Sequence, residues 1–130
     1  MDAFEHESLE VYQLALEFVG LADRLIKMFS PARAFLADRL NQQAAAVALN
    51  IAKGFSELAA ADQLRFIRRA RRAAIECAAL LDLARTLRTA DENELAAGRD
   101  ILLKVVAMLA SLNERLDEHV AGSQADQGTE

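Results

Sequence analysis

A single proline, Pro31, interrupts the 130 residues of this chain. On either side of it the apolar residues recur at alternating intervals of three and four. That spacing marks one side of a helix with about 3.6 residues per turn. A chain with this period and almost no breakers has little choice except long helices packed on one another. Ile67, Ala70, Ala74, Cys77, Leu81 and Ala84 form one such seam, flanked at sevens by Phe66, Ala73, Leu80 and Leu87. Leu95, Leu102, Val105, Leu109, Leu112 and Leu116 form a second, and Leu36, Leu40, Val47 and Ile51 a third. Aromatic residues are 5% of the chain and glycines only five, so Ala and Leu supply most of the apolar surface, a mix that favours helix over sheet.

Punctuation residues divide the pattern into four helices. The first is expected over about 9–29. Ser30-Pro31 ends it and opens the second, with Ser as cap and Pro at the first helical position. The second is expected to reach Lys53, with Gly54 taking the left-handed conformation just past its end. Asp62 is the expected cap of the third, which continues to about Leu87. Thr89 with Glu92, or Asp91 with Glu94, offers two overlapping cap signatures for the fourth, which is expected to end near Val120. Short connections between long helices favour antiparallel neighbours, so residues 1–121 are expected to form an all-α, up-down-up-down four-helix bundle. Residues 122–130 carry no hydrophobic anchor and read as a disordered tail.

The first helix is too apolar for a bundle that stands alone. Its polar residues Glu10, Gln13, Glu17, Arg24 and Lys27 make one narrow stripe. A monomeric bundle needs an apolar arc of roughly 100°, and this helix shows much more. Tyr12, Leu14, Leu16 and Leu21 are therefore the expected oligomer interface, unless the chain start or the tail covers them.

Nothing in the sequence reads as a catalytic, cofactor or metal site. Carboxylate-bridged metal centres in bundles require Glu-x-x-His on facing helices, and neither His6 nor His119 has a glutamate at that spacing. His119 instead suits the C-terminal dipole of the fourth helix. Cys77 lies on the apolar seam as an inert core residue, and a lone cysteine suits a reducing cytoplasm. Asp2, Glu5 and Glu7 stand where a secretory leader would be basic, and no run is long and apolar enough to span a membrane. A non-enzymatic protein of the cytoplasm is expected.

Three short motifs occur in order. Leu9-Glu10-Val11-Tyr12-Gln13-Leu14-Ala15 opens the first helix, Asn50-Ile51-Ala52-Lys53-Gly54 closes the second, and Phe66, Ala70 and Glu76 mark the third. With these the chain resembles the bacterial 23S rRNA intervening-sequence (S23) family over about residues 4–120. The resemblance implies a small four-helix bundle assembled as a ring-shaped homopentamer. It also implies a link to RNA or DNA, because related proteins serve as nucleic-acid-binding accessory factors beside a reverse transcriptase. The family motif usually reads Asn-Ile-Ala-Glu-Gly, so Asn50, Ile51, Ala52 and Gly54 match and Lys53 departs. Where the family's second helix carries a basic pair and a serine, this chain has Asn41, Gln42 and Ala46. Where its third carries Gly-Ser, this chain has Arg72-Ala73. Basic character has thus passed from the second helix to the third.

That third helix holds Arg65, Arg68, Arg69, Arg71 and Arg72, five of the 15 basic residues of a chain whose formal charge is -5. Without them the remainder would carry -10 (-5 minus +5). On a helical wheel Arg65, Arg68, Arg69 and Arg72 share an arc of about 100°, opposite the Ile67–Ala74–Leu81 seam, with Arg71 at its edge. Like charges this close destabilise a helix slightly, so something should answer them. Protein carboxylates are one candidate, from Glu76 on the same stripe or from Glu10, Glu17 or Asp38 on another helix or subunit. Phosphate is the other, since arginine's forked donors suit phosphate oxygens. The first makes the chain an assembly or adaptor protein whose subunits dock through ion pairs. The second makes it an accessory protein gripping RNA or DNA backbones.

Overall fold

The computed structural model describes the backbone of residues 4–128 and the side chains of residues 4–123. Four helices account for most of it: α1 (Glu10–Met28), α2 (Ala34–Ser56), α3 (Ala60–Thr86) and α4 (Glu92–Gly128). Each packs against its neighbours in sequence, α1 also packs against α4, and the backbones of the two diagonal pairs stay more than 8 Å apart. The paired residues run in opposite directions. Arg39 meets Glu76 while Gly54 faces Ile67, so α2 and α3 are antiparallel. Arg68 meets Asp117 while Arg85 meets Glu92, and the same holds for α3 and α4. Leu21 sits at Gly98 and Arg24 at Glu94, which matches α1 borders on α4 near Val11 and Met108. The result is the expected antiparallel square. The third-helix seam is buried throughout, and the fourth-helix seam is buried from Leu95 to Leu109.

Two glycines set how closely the helices approach. A Cβ on Gly98 would lie 2.9 Å from Leu21 Cδ2 and 3.1 Å from Leu81 Cδ1, so α4 packs there against side chains of both α1 and α3 with no room for a side chain of its own. Gly54 corrects an expectation. It does not end α2 in a left-handed turn, because the helix continues to Ser56 and no glycine among the described residues has positive φ. Its role is spatial: a Cβ there would meet Ile67 Cδ1 at 3.3 Å and Phe66 Cβ at 3.4 Å. α2 must still be helical where it passes the start of α3.

Other boundaries move for local reasons. Ser30 opens a single 3-10 turn, Pro31–Arg33, rather than α2 itself. α3 begins at Ala60, so Asp62 lies inside its first turn instead of capping it. Of the two signatures before α4, Asp91 is the cap, and its Oδ2 accepts from the Glu94 N–H at 3.2 Å. α3 ends without glycine. Thr89 N–H donates to Ala84 O and Arg88 N–H to Arg85 O, the paired bonds of a Schellman turn, with Arg88 at φ 53° in the left-handed position. α4 does not stop near Val120 but is helical through Gly128; of the tail expected at 122–130, residues 129–130 lie outside the described residues. Extending a formed helix costs far less than starting one, and Gln and Ala are good helix formers. No helix among the described residues is long and apolar enough to cross a membrane.

The four interface candidates on α1 separate. Leu21 is core, 2% exposed beside Gly98, and is not on the outer surface. Tyr12 is half-buried, with the His6 ring edge-on at 4.7 Å, because the 3-10 turn Glu5–Ser8 folds back over the start of α1. Gln13 Nε2 holds that turn by donating to Glu7 O at 2.7 Å. The chain start thus covers part of the excess apolar surface. Leu14 is half-buried against the core, and Leu16 stays outside at 42% exposure.

Candidate functional site

The arginines of α3 point outward because the opposite side of the helix is fully engaged in the core. Ile67, Ala70, Ala74 and Cys77 are each 1% exposed or less, and Arg65, Arg68, Arg69, Arg71 and Arg72 are all exposed. Burial pushes the Cys77 thiol up to about 12, and the charge of neighbouring Glu76 adds to the effect. The thiolate is the reactive form, so this cysteine is unreactive at neutral pH.

The arginine surface is not uniform. On the α4 side, Arg68 Nε donates to Asn113 Oδ1 at 3.1 Å and its Nη2 to Asp117 Oδ1 at 3.0 Å. Asn113 also donates to Asp117, so the acceptors are oriented by each other. At the start of the helix, Arg65 reaches Asp62 only at 3.8 Å. The guanidinium groups of Arg65 and Arg69 both lie over the Phe66 ring, at 5.1 and 5.3 Å from its centre, within cation–π range. Phe66, expected as a seam residue, therefore serves also as a shelf for two arginines.

Arg69, Arg71 and Arg72 have no carboxylate within ion-pair distance among the described residues. The expected partners are elsewhere. Glu10 and Glu17 belong to α1, which lies diagonally across the bundle from α3. Asp38 is exposed on α2 and makes no ion pair among the described residues. Glu76 is taken by Arg39 of α2, which grips both carboxylate oxygens, Nε on Oε2 and Nη2 on Oε1. The hydrogen bond and the charge of Glu76 raise the Arg39 guanidinium further above its ordinary value, partly offset by desolvation. Glu76 thus brings a further arginine to the stripe without neutralising Arg72.

Two shallow grooves border these arginines. One, of about 250 Å³ between α2 and α3, is lined by Gln43, Ala46, Asn50, Arg69, Arg72, Ala73 and Glu76. The other, of about 220 Å³ between α3 and α4, is lined by Arg68, Arg71, Arg72 and Asn113. Arg72 joins them. Asn50 links two features that looked separate in sequence, because it belongs to the Asn-Ile-Ala motif and shares a groove with Arg69 and Arg72. Its side-chain amide donates to Ala46 O at 2.8 Å, which leaves the carbonyl oxygen available. Ile51 is core, Ala52 half-buried, and Gly54 the close-approach point already described. Asn113, Asp117, Arg39 and Gln43 were not singled out in sequence, since nothing local marks a residue as the neighbour of another helix. Chemically the surface is a set of forked cationic donors with amides between them, suited to oxyanions.

No group of three or more His, Cys, Asp or Glu side chains that could hold a metal occurs among the described residues. His119 does not sit at the end of α4, since the helix runs on to Gly128. A comparison with curated proteins finds no match. The model of one family, 23S rRNA-intervening sequence protein, matches residues 7–111.

Proposed function

This chain belongs to the 23S rRNA-intervening sequence protein family, and from that premise we propose that it is a non-catalytic, self-associating bundle of the cytoplasm that grips nucleic-acid backbones through the outer face of α3. One observation carries this reading: Arg69, Arg71 and Arg72 stand together with no carboxylate at ion-pair distance among the described residues, in a chain of formal charge -5. Acidic residues are plentiful, and Glu76 shares a groove with Arg69 and Arg72, yet its carboxylate is held by Arg39 instead. The family's printed name, with its reference to 23S rRNA, supports RNA as the polymer. Contact is with phosphates, because the grooves are shallow and Phe66 already carries Arg65 and Arg69 instead of offering its ring to a base. Arg68, fixed by Asn113 and Asp117, sets one edge of the surface.

Self-association rests on a different observation. Leu16 on α1 and Leu103 on α4 are 42% and 57% exposed, and the register that sets Leu21 beside Gly98 puts them level on adjoining helices. A ring, pentameric as the family resemblance implies, would repeat the arginine face in every copy. Each weak phosphate contact would then be reinforced by its neighbours.

Fluorescence anisotropy with labelled RNA and DNA oligonucleotides tests the first reading. Arg69→Glu with Arg72→Glu is expected to lower affinity at least about a hundredfold and leave helicity and oligomer size unchanged. Wild-type affinity is expected to fall with salt, with a log–log slope near −0.7 to −0.9 for each phosphate neutralised. If the double variant instead breaks the assembly, and the wild type binds neither polymer, the arginines meet carboxylates of neighbouring copies. Light scattering of Leu16→Glu with Leu103→Glu tests self-association, and smaller particles with intact helicity are expected.

A further inference from the structure

A cavity of about 340 Å³ opens at the end of the bundle where α2 stops and α3 begins. Its apolar wall is Phe55, Ile67, Leu112 and Leu116, and its rim carries Leu58, which is wholly exposed. The cavity exists because the α4 seam outlasts its cover. Leu102, Val105 and Leu109 are buried, but Leu112 and Leu116 continue the same period and are only half-buried. Gly54 contributes no side chain on the facing wall. A volume of this size lies at the small end of the range for ligand pockets, about 300–1,000 Å³.

The polar groups at the mouth are nitrogen-bearing side chains. Arg115 and His119 lie four apart on α4, hence on one side of it, and both line the cavity. Neither makes an ion pair among the described residues. Arg115 also borders the shallow groove against α1 that contains Glu10, without pairing to it. Gln63, the remaining polar wall residue, has its amide committed to Glu57 O at 2.9 Å. The site therefore offers an apolar floor with a guanidinium and an imidazole at one edge and no carboxylate side chain in its lining.

We propose that this cavity binds a small anionic amphiphile, with its hydrocarbon tail among Phe55, Ile67, Leu112 and Leu116 and its carboxylate against Arg115 and His119. The tail covers apolar surface that the fold leaves wet, and the carboxylate meets an arginine without an internal partner. This inference does not depend on the arginine face of α3, which lies outside the cavity.

Titration of the full chain with octanoate and with octanol, followed by amide chemical shifts, tests it. Octanoate is expected to saturate, and octanol to bind about tenfold more weakly or worse, because it lacks the charge-assisted bonds. Arg115→Gln with His119→Gln is expected to erase that difference with helicity intact. Leu116→Trp, which fills the cavity from a half-buried position, is expected to abolish binding of both. Equal binding of octanoate and octanol by the wild type, failure to saturate, or undiminished binding by the filled variant would overturn the proposal. Co-flotation with anionic phospholipid vesicles that Leu116→Trp abolishes would also overturn it, by assigning the cavity to a bilayer lipid.

Discussion

The two sides of α3 use neighbouring residues under opposite rules. Ile67 and Arg68 are adjacent in sequence, but Ile67 is 1% exposed in the core and Arg68 is an exposed side chain held by Asn113 and Asp117. On the inner side each residue is answered by bulk, and many partners serve equally. On the outer side each is answered, or not, by one group at one place. Arg68 has its acceptors and Arg69 does not, although both lie on the same stripe. An acidic chain can therefore still hold an unanswered cationic surface. Compensation depends on which helix lies alongside, and α1, with Glu10 and Glu17, lies diagonally opposite α3.

The strongest way to break this contrast is to attack the inner side. Ile67→Ala is expected to cost about 2–5 kcal/mol in urea unfolding, as large core truncations do, and to leave oligonucleotide affinity of the folded fraction unchanged. A loss of affinity as large as that of the Arg69→Glu and Arg72→Glu pair would show the two sides to be one unit. The next effect is alkaline. Below about pH 9 the Cys77 thiol keeps its proton whether the chain is folded or not. Between there and about 12 only the unfolded chain gives it up, so the folded state loses stability as pH rises. The loss is about 1.4 kcal/mol per pH unit in that window, and the slope should flatten in Cys77→Ala. Guanidinium groups keep their charge over this range, so the outer side contributes no such slope. The smallest effect sharpens the outer side itself. Arg68→Ala is expected to cost up to about 1 kcal/mol, the usual range for an exposed pair. Arg69→Ala should cost less, since it removes repulsion and no ion pair, and its contact over the Phe66 ring is shared with Arg65. An equal loss that persists in a Phe66→Leu background would mean that Arg69 has a carboxylate partner after all.

The inner side was legible in sequence because period alone reveals it: every residue of the Ile67–Ala84 seam is buried. The stripe was legible as a stripe for the same reason. Its answering groups were not, because Arg39 and Glu76 lie 37 residues apart, and Arg68 and Asp117 49 apart. No local signal sets the register of one helix against another. Leu21 was misplaced on α1 because a helix apolar on most sides gives the wheel no contrast. The missing clue lay on another helix, where Gly98 makes room for it. Gly54 misled in a related way. A glycine near a helix end suggests a stop, but here the space it leaves matters, and space between helices is not written in either one alone.

The square in which only consecutive helices and the first and last touch has a kinetic consequence. Three of its four sides join segments linked by short connections, so most of the search for native contacts is local. Such low contact order goes with folding in microseconds to milliseconds. The α2–α3 and α3–α4 hairpins can each form without waiting for distant chain. Docking of α1 onto α4 alone requires the two ends of the sequence to meet, and it carries the largest loop-closure entropy. That side is thus the natural last step of folding and the first to open. A nascent chain would hold Phe18, Leu21 and Leu25 without their α4 cover until its final helix had left the ribosome.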